Sequence, residues 1–253
     1  MGDQGGTFDL IVLGSCAGGI AAAVTAAAAG LRVLVLDKAP VLGGTSAWSG
    51  GWIWAPGNPV CGVAEAPGAA RAYLQARLGA HFDAARVDAF LEAAPRMVDF
   101  FETQTALQFD PGLAIPDTYG DLPGAGTGGR SVIARAFDGR RLGAEIALLR
   151  KPLRETSFKG MTIQSGADLR AFLTMTRSAR AFAHVTGRVL RHIRDLALHG
   201  RGMDLRNGNA LIARLLRSAL DLGVTLRTGV TVQGLSETEG RVDGVMIGAD
   251  ILR

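Results

Sequence analysis

The sequence is poor in the residues that build disulfide frameworks and metal centres. It has only two cysteines, Cys16 and Cys61, and neither belongs to a CxxC pair. No metal or redox-disulfide site is therefore indicated, and we expect both thiols to be reduced. The four histidines are not spaced as metal ligands either. Two of them, His192 and His199, fall on a basic helical segment, where we expect them to lie on a solvated face.

Long apolar runs are also missing. The most apolar stretch, residues 17–31, is mostly alanine and glycine and is too short to span a bilayer. The first six residues have no basic start and no leader-length apolar run, which argues against a signal peptide. Gly6 stands where the N-myristoylation pattern requires serine or threonine. We therefore expect a soluble, cytoplasmic protein without a membrane span.

Charge of one sign does not dominate the chain. The formal net charge is +4 over 253 residues, which is compatible with an anionic ligand but too weak to indicate nucleic-acid binding. The segment 168–199 carries six arginines, yet it lacks the interleaved aromatic residues of a nucleic-acid interface. We therefore expect a small molecule as partner and no nucleic acid.

The first forty residues contain a strand, a glycine turn, a helix and a second strand. Residues 11–13 form a continuous apolar run, typical of a parallel strand that is covered on both faces. Residues 17–29 are small helix formers, and Gly30 follows in the C-cap position. Residues 31–36 return as the second strand, which ends on Asp37. This βαβ unit predicts an α/β fold with a Rossmann-like parallel sheet.

The turn after the first strand has the composition of a dinucleotide cradle. A pyrophosphate requires backbone N–H groups at a helix N-terminus without side chains in the way. Gly14 permits the tight turn, and Gly19 permits close packing of helix and strand. Asp37 follows Gly14 by 23 residues, where a carboxylate can reach the ribose hydroxyls. Cys16 replaces the middle glycine of the G-x-G-x-x-G pattern, so we expect weakened or shifted cofactor binding.

A second glycine cluster, residues 43–51, follows the second strand at the carboxyl edge of the sheet, where ligands of open α/β folds bind. Ser46 and Ser49 can hydrogen-bond phosphate, ribityl or ring atoms there. Gly50 and Gly51 let the backbone approach a flat ring system. The cluster therefore favours a flavin over a nicotinamide. For at least two of the three neighbouring tryptophans, Trp48, Trp52 and Trp54, we expect a role in core packing at a domain edge.

The rest of the chain alternates helices with loops. Helices are expected at residues 67–78, 84–102, 168–199 and 207–222. The second of these is expected in two pieces, with Pro95 in the first turn of the second piece. Short strands are expected at residues 224–227, 230–235 and 241–247, and the last two form a small β-meander through Glu239 and Gly240.

These elements suggest one cofactor domain with helical insertions. We interpret residues 1–60 as the βαβ cradle and its second glycine loop, and residues 61–205 as a mostly helical and loop insertion. Residues 206–253 then return to the cofactor domain with a helix and strands. No internal repeat and no low-complexity linker separates these parts.

At this point the sequence resembles a known family. Residues 37–59, from Asp-Lys-Ala-Pro-Val-Leu-Gly-Gly-Thr-Ser-Ala-Trp-Ser-Gly-Gly to Pro59, are similar to the start of flavoproteins of the fumarate reductase/succinate dehydrogenase type. Within that superfamily they most resemble the 3-ketosteroid Δ1-dehydrogenase branch. Residues 117–140 and 208–244 resemble two further segments of the same branch. The resemblance covers nearly the whole chain and is most specific in its first segment.

The resemblance implies FAD as the cofactor and assigns a role to each matching position. The pyrophosphate would be held by Gly14, Ser15, Ala17, Gly18 and Gly19. The adenosine ribose would be held by Asp37, with Lys38 beside it. The path from phosphate to ribityl would be lined by Gly43, Gly44, Thr45 and Ser46. The isoalloxazine ring would meet Ser49, Gly50 and Gly51. The adenine would be met by the backbone of Val232.

The resemblance also implies noncovalent FAD and an incomplete enzyme. Succinate dehydrogenases bond their flavin covalently through a histidine, and Gly44 occupies that position here. Family members carry a substrate-binding cap domain and a C-terminal flavin segment, both of which come after residue 253. Of the groups that could move a proton beside the flavin, this chain offers Tyr119, which lies in a loop of the second matching segment. A structural role in that loop is the alternative.

The leading hypothesis is a flavin-dependent oxidoreductase that dehydrogenates a Cα–Cβ bond next to a carbonyl, or reduces it, with a steroid-like or fumarate-like substrate. The first alternative is a truncated FAD-binding module that cannot turn over. The second is an NAD(P)-dependent dehydrogenase. Against it, no Tyr-x-x-x-Lys pair is present, because Tyr73 is followed four places on by Arg77, and Tyr119 by Pro123.

Overall fold

The computed structural model describes residues 7–253, so the segment used to argue against a leader or a myristoyl group lies outside the described residues. The chain forms two compact units: residues 1–50 together with 136–253, and residues 51–135. The sequence-based division at residues 60 and 205 stays a prediction.

The described residues contain eleven strands and six α-helices. The strands are β1 (Leu10–Leu13), β2 (Val33–Asp37), β3 (Trp52–Trp54), β4 (Phe109–Pro111), β5 (Ser131–Ala134), β6 (Phe137–Asp138), β7 (Asp204–Leu205), β8 (Thr225–Thr228), β9 (Gly234–Thr238), β10 (Arg241–Ile247) and β11 (Asp250–Leu252). The helices are α1 (Ala17–Ala28), α2 (Ala69–Leu78), α3 (Ala84–Gln104), α4 (Ala167–Thr174), α5 (Ala179–His199) and α6 (Asn207–Asp221).

The first unit is built on the parallel sheet that the sequence predicts. Its order is β1-β2-β8, and both pairs are parallel, with Val12 opposite Val35 and Val35 opposite Leu226. Residues 33–36 of the central strand are buried, as expected for a strand covered on both faces. Helix α1 connects β1 to β2, and the chain turns through Gly30 at a φ of 87°. The expected α/β fold and its βαβ unit are confirmed.

One of the predicted C-terminal strands begins later in the structure than the sequence predicts. Residues 230–232 do not join the antiparallel sheet β11-β10-β9. Gln233 N donates to Met246 O of β10 at 2.9 Å, and β9 begins at Gly234. The reason lies at the end of β2, where Gly229 N donates to Ala39 O at 2.9 Å and Val230 N donates to Asp37 O at 3.0 Å. These bonds hold the segment beside β2. The turn through Glu239 and Gly240 is confirmed, with both residues at positive φ.

Two helix predictions are wrong in their continuity. Helix α3 is unbroken and contains Pro95 in its interior, because buried residues on both sides of the proline, including Val87 and Val98, keep one apolar face in the core. The predicted helix at residues 168–199 is two helices, α4 and α5. The second begins after Ser178, whose hydroxyl accepts from Ala181 N at 3.3 Å and caps the new helix.

The second unit contains the antiparallel sheet β3-β5-β4. Trp54 at the end of β3 stacks on Phe90 of α3, with ring centroids 5.9 Å apart, and its indole N–H donates to Asp117 Oδ1 at 2.7 Å. The stacked ring and the satisfied indole support the structural interpretation of this tryptophan.

Helix α5 carries polar groups on its inward face, which contradicts one expectation. His192 is only 7% exposed, and its Nε2 lies 3.0 Å from Lys159 O. The solvated face expected for this histidine is therefore wrong, whereas His199 is exposed as expected. Arg188 and Asp195 are also buried along the same face. Hydrophobic periodicity alone does not identify the buried face of this helix, because several of its buried residues are charged or polar.

The buried ion pair of Asp168 and Arg188 anchors α4 to α5. Asp168 also accepts from Gln164 N at 3.0 Å and lies 2.8 Å from His184 Nε2. Burial alone raises the pKa of Asp168, but these hydrogen bonds and the charges of Arg188 and Arg206 outweigh it and hold the pKa below its ordinary value.

Replacing Asp168 by asparagine is expected to destabilise the first unit by about 3–5 kcal/mol at neutral pH, because Arg188 loses its buried partner. The folded-state pKa lies below the unfolded value, so the carboxylate stabilises the fold above about pH 4 and loses this effect as the pH falls further. The stability difference between wild type and D168N should therefore shrink below that pH in urea unfolding. Asp88→Asn, at an exposed ion pair with Arg71, serves as the control and should change stability little; a loss equal to that of D168N would contradict the argument.

Candidate functional site

Ser15 joins the two glycine loops at the carboxyl edge of the parallel sheet. It directly follows the turn after β1 and is 1% exposed. Its backbone N–H donates to Asp37 Oδ2 at 2.9 Å, and its hydroxyl donates to the same oxygen. Gly43 N in turn donates to Ser15 Oγ at 2.9 Å. One buried hydroxyl thus contacts the end of β2 and the start of the second glycine cluster.

Asp37 is held as a carboxylate at this edge. Its other oxygen, Oδ1, accepts from Ala39 N at 2.9 Å. Partial burial raises the pKa of Asp37, but the hydrogen bonds from Ser15 and Ala39, together with the charge of Arg150, outweigh this effect and hold the pKa below its ordinary value. The carboxylate is therefore ionised at neutral pH. Three donors occupy it, and a carboxylate has about four acceptor sites, so it can accept from a further hydroxyl.

The N-terminus of α1 faces the same edge. Cys16 is the N-cap residue and makes no side-chain capping bond, while Ala17 N donates to Ser46 Oγ at 3.1 Å. The N–H groups of the first helical turn have no partner within the helix. Gly19 is packed so closely that a Cβ there would lie 2.1 Å from Gly14 O. The absence of a side chain at Gly19 is therefore a steric requirement of the turn itself.

The second glycine cluster crosses close to the first. A Cβ placed on Gly44 would lie 3.4 Å from the Cβ of Cys16. A short 3-10 turn, Ser46–Trp48, follows, and Ser49 Oγ donates to Ser46 O at 2.8 Å. Cys16 is exposed between the loops. The residue that departs from the glycine pattern thus presents its thiol where the two loops approach each other.

The start of helix α6 contacts the second glycine loop and supports it. This contribution was not predicted from the sequence. Gly208 N donates to Ser49 O at 3.0 Å, and a Cβ on Gly208 would lie 2.0 Å from Ser46 O. Asn209 is 1% exposed, and its Nδ2 donates to Arg150 O at 2.8 Å and to Ala47 O at 3.3 Å. The Gly-Asn pair at a helix start was the available signal, but its partners lie far away in the sequence.

Arg150 and Trp48 complete the support of this loop. The guanidinium carbon of Arg150 lies 4.8 Å from the Trp48 ring centroid, and the indole N–H of Trp48 donates to Lys151 O at 3.0 Å. Arg150 N also donates to Leu42 O at 3.0 Å. The second glycine loop is therefore held by two parts of the chain, residues 150–151 and the start of α6.

The structure brings most of the predicted residues of the first unit to one edge. Ser15, Asp37, Gly43, Ala17 and Ser46 are joined by the hydrogen bonds given above. The remaining residues of the two loops lie beside them on the chain: Gly14, Gly18, Gly19, Lys38, Gly44, Thr45, Ser49 and Gly50. Val232 follows Val230, which bonds to Asp37 O, and it packs against Leu34, Leu36 and Val245.

Gly51 and Tyr119 belong to the second unit. The Tyr119 side chain is exposed, and its hydroxyl accepts from Arg77 Nη2 at 3.0 Å, with the guanidinium 4.2 Å from the ring centroid. Its backbone N–H donates to the hydroxyl of Tyr73 at 3.4 Å. The loop position expected for Tyr119 is confirmed; its catalytic role stays a prediction.

The described part of the chain, residues 7–253, contains neither a metal cluster nor a membrane-spanning helix. No group of three histidine, cysteine, aspartate or glutamate side chains in this range could hold a metal ion. No helix in this range is long and apolar enough to cross a membrane.

Two loops at the carboxyl edge of a parallel βαβ sheet, joined by a buried serine and an ionised aspartate, define a dinucleotide-binding domain of the Rossmann type. A family model described as the FAD binding domain matches residues 9–250. The chain therefore belongs to the FAD-binding domain family, and FAD is the dinucleotide. The family expected from the sequence is confirmed.

Named relatives agree with this assignment. The chain is 35% identical over 244 residues to 4-oxocyclohex-2-ene-1-carboxylate 5-dehydrogenase of Sinomonas cyclohexanicum, covering 96% of this chain and 41% of the relative. It is 33% identical over 253 residues to 3-oxosteroid 1-dehydrogenase of Mycolicibacterium smegmatis, covering 96% and 42%. The crystal structure of 3-ketosteroid delta1-dehydrogenase from Sterolibacterium denitrificans matches with a TM-score of 0.85 and 32% identity, over 97% of this chain and 45% of that chain. The chain thus spans less than half the length of these relatives.

Gly19→Ala is expected to destabilise the first unit by about 1–3 kcal/mol, because the new methyl group meets the backbone carbonyl of Gly14. Gly18→Ala is the matched control: a Cβ there meets nothing within 4 Å, and alanine favours the helix by up to about 1 kcal/mol. Urea unfolding of both variants measures the difference. Equal stability of the two variants would refute the proposed close packing.

Proposed function

We propose that this chain is the FAD-binding part of a flavin-dependent oxidoreductase that acts on a Cα–Cβ bond next to a carbonyl. The hydrogen-bonded link of Ser15, Asp37 and Gly43 carries the proposal, because it places two glycine loops and an ionised carboxylate at one sheet edge. The named relatives support the reaction type, since each of those described above is a dehydrogenase of a cyclic ketone. A steroid-like or smaller cyclic ketone is the proposed substrate class.

Each cofactor-facing residue has a proposed task that follows from its chemistry. The first-turn N–H groups of Gly18 and Gly19 at the start of α1 would face the pyrophosphate, where the helix dipole favours negative charge. Asp37 would accept a hydrogen bond from a ribose hydroxyl at its remaining acceptor site. The residues proposed beside these contacts are Gly14, Ser15, Ala17 and Lys38. We propose that the Val232 backbone meets the adenine.

The second loop would hold the other half of the cofactor. Gly43, Gly44, Thr45 and Ser46 are proposed along the phosphate and ribityl chain, and Ser49, Gly50 and Gly51 beside the ring. Ser46 already accepts a bond from Ala17 N, so its hydroxyl proton remains available to a ligand acceptor. The fixed backbone at Ser46–Ser49, supported by Gly208 and Asn209, would keep this surface in position.

The FAD supplies hydride transfer when it is bound. The chain's own contribution is to bind and orient the cofactor and to exclude water from the backbone surface of its two loops. Tyr119 is the residue of this chain proposed to move a proton to or from the substrate. Arg77, which donates to its hydroxyl, would fix the direction of that hydroxyl.

We propose that the FAD is bound without a covalent bond. Gly44, at the position that carries a histidine in succinate dehydrogenases, offers no side chain to bond the ring, and its backbone has a φ of 50°, a conformation that favours glycine. We also propose a cytoplasmic protein with reduced thiols and no nucleic-acid partner, in keeping with the two free cysteines and the modest net charge.

The alternative is an FAD-binding module that does not turn over by itself. The chain spans 41–45% of the lengths of the relatives described above. FAD binding by this chain without turnover of a cyclic ketone would favour the alternative, whereas a colourless chain that gains no flavin signal with added FAD would count against the proposed binding site.

Titration of the chain with FAD, followed by flavin fluorescence, tests the site. Asp37→Asn should weaken FAD binding by about 10- to 100-fold, because a hydrogen bond to a charged acceptor is lost. Asp221→Asn, which removes an exposed ion pair with Arg217, should leave the affinity unchanged. Thermal melting of both variants separates weaker binding from unfolding. An unaltered FAD affinity in folded D37N would remove Asp37 from the site.

Denaturation of the FAD-loaded chain tests the mode of attachment. We expect the flavin to separate from the polypeptide on acid precipitation or gel filtration in urea, because Gly44 provides no bonding side chain. Yellow colour that stays with the precipitated chain would show covalent attachment and refute the proposal.

A further inference from the structure

A cavity of about 360 Å³ lies in the first unit, between the segment 151–160 and the segment 196–202 at the end of helix α5. Its volume falls within the range of small-molecule sites, roughly 300–1,000 Å³. All residues that line it belong to these two segments, and none belongs to the two glycine loops proposed to hold FAD. A ligand in this cavity would therefore occupy a site separate from the flavin cradle.

The lining of this cavity is basic. None of the described residues that line it is acidic, and four carry a positive charge: Lys151, Arg154, Lys159 and Arg201. The first three are exposed, and within residues 7–253 none of the four makes an ion pair. Glu155, beside Arg154 in the sequence, lies outside the lining. A cleft lined by charges of one sign attracts ions of the opposite sign, so this cavity favours an anion.

Arg201 is the buried member of this set, with 8% of its surface exposed. Its Nη1 donates to Ile146 O at 2.8 Å and to Leu149 O at 2.9 Å, and these two bonds fix the guanidinium plane. Burial lowers the pKa of Arg201, and no carboxylate among the described residues opposes this effect. The guanidinium nevertheless stays protonated at neutral pH. Its buried charge therefore has backbone carbonyls as partners and no acidic side chain.

Two nitrogens of the Arg201 side chain have no partner. The buried Nε and Nη2 atoms make no hydrogen bond within the described part of the chain. These two atoms carry parallel N–H groups on one edge of the planar guanidinium, the arrangement that binds two oxygens of one phosphate or carboxylate. Buried polar groups in folded proteins nearly always have a partner. An oxyanion beside Arg201 would supply one.

Contacts with helix α5 and within the segment 151–160 hold the walls of the cavity. His192 Nε2 lies 3.0 Å from Lys159 O, and a Cβ on Gly202 would lie 2.7 Å from His192 Nδ1. Phe158 and Met161 exchange backbone hydrogen bonds at 3.0 and 2.9 Å, which close the turn that carries Lys159. The backbone on both sides of the cavity is therefore fixed by the protein itself, and such preorganisation lowers the cost of binding.

We propose that this cavity binds the phosphate group of a small phosphorylated organic molecule. A phosphate monoester carries nearly two negative charges at neutral pH, which match four cations and no acid better than the single charge of a carboxylate does. The phosphate oxygens would meet the side chains of Arg154 and Lys159 and the Nε–Nη2 edge of Arg201. Pro152 and Leu196, which also line the cavity, would contact the organic part of the ligand.

Isothermal titration calorimetry of the 253-residue chain tests the proposal, with inorganic phosphate, phenyl phosphate and benzoate as probes at equal ionic strength. We expect saturable binding of inorganic phosphate and tighter binding of phenyl phosphate, because its ring adds apolar contacts. Benzoate should bind at least about tenfold more weakly than phenyl phosphate, because it forms fewer charge-assisted hydrogen bonds. Absence of saturable binding of both phosphates, or binding of benzoate as tight as that of phenyl phosphate, would overturn the proposal.

Two double variants separate the cavity from the net charge of the chain. Arg154→Gln with Lys159→Gln should weaken phenyl phosphate binding by about tenfold or more, because two charge-assisted hydrogen bonds are lost. Arg170→Gln with Arg177→Gln is the matched control, since it removes two positive charges from exposed positions outside the lining. This control should bind phenyl phosphate as wild type does, and circular dichroism melting verifies that both variants are folded. An equal loss of binding in both variants would refute the site.

Arg201→Lys tests the guanidinium edge, because lysine keeps the charge but lacks the paired N–H groups. The folded variant should bind phenyl phosphate about tenfold more weakly than wild type does. Wild-type affinity in folded R201K would contradict the proposed contact with Arg201. If R201K does not fold, the comparison of R154Q/K159Q with its control decides the proposal.

The flavin cradle is the other place where a phosphate could bind, and FAD distinguishes the two sites. R154Q/K159Q should keep the FAD affinity of wild type, and saturating FAD should leave the binding of phenyl phosphate to wild type unchanged. Loss of that binding in the presence of FAD, or unchanged binding in folded R154Q/K159Q, would refute the inference. A chain that binds phenyl phosphate through Arg154 and Lys159 but does not bind FAD would refute the proposed function and support the cavity site.

Discussion

The site depends on one buried hydroxyl. Ser15 donates to Asp37 and accepts from Gly43, so three points of the chain that are separate in the sequence are fixed relative to one another by a single side chain. The carboxylate gains from this arrangement, because its hydrogen bonds hold it ionised despite partial burial. The loops gain a defined spacing at the sheet edge. Without Ser15, the two glycine loops would lose the hydrogen bonds that fix their spacing at the sheet edge.

The glycines contribute in different ways, and the structure separates them. Gly19 and Gly208 leave no space for a side chain, since a Cβ on either would meet a backbone oxygen near 2 Å. Gly18, in contrast, has open space around its Cα, which leaves room for a ligand at the first helical turn. A glycine pattern in a sequence therefore mixes positions required for packing with positions required for binding. Cys16, which replaces one glycine of the pattern, is exposed where the two loops approach each other.

Buried charge organises the region around α4 and α5. Asp168 and Arg188 pair between these helices, and Asp195 accepts from Met203 N on the returning chain. These groups are buried on the inward face of α5, while its outer surface carries exposed apolar side chains such as Leu190 and Ile193. The sequence indicated a basic helix here, but it did not indicate which face lies inward. The choice follows from complementary partners elsewhere in the chain, among them Gln164, Asp204 and Arg206.

The amino-acid sequence alone determined the βαβ unit, the carboxylate that ends β2 and the family, because strand periodicity, glycine spacing and helix ends are local signals. It also located the two loops that carry the proposed cofactor contacts. The tertiary structure decided the continuity of α3 through Pro95, the break before Ala179, and the placement of Val230 beside β2. It alone revealed Asn209 and Arg150 as supports of the second loop and turned His192 inward. The positions of Val230, Asn209, Arg150 and His192 depend on partners tens to more than a hundred residues away in the sequence, and local preference does not reveal such partners.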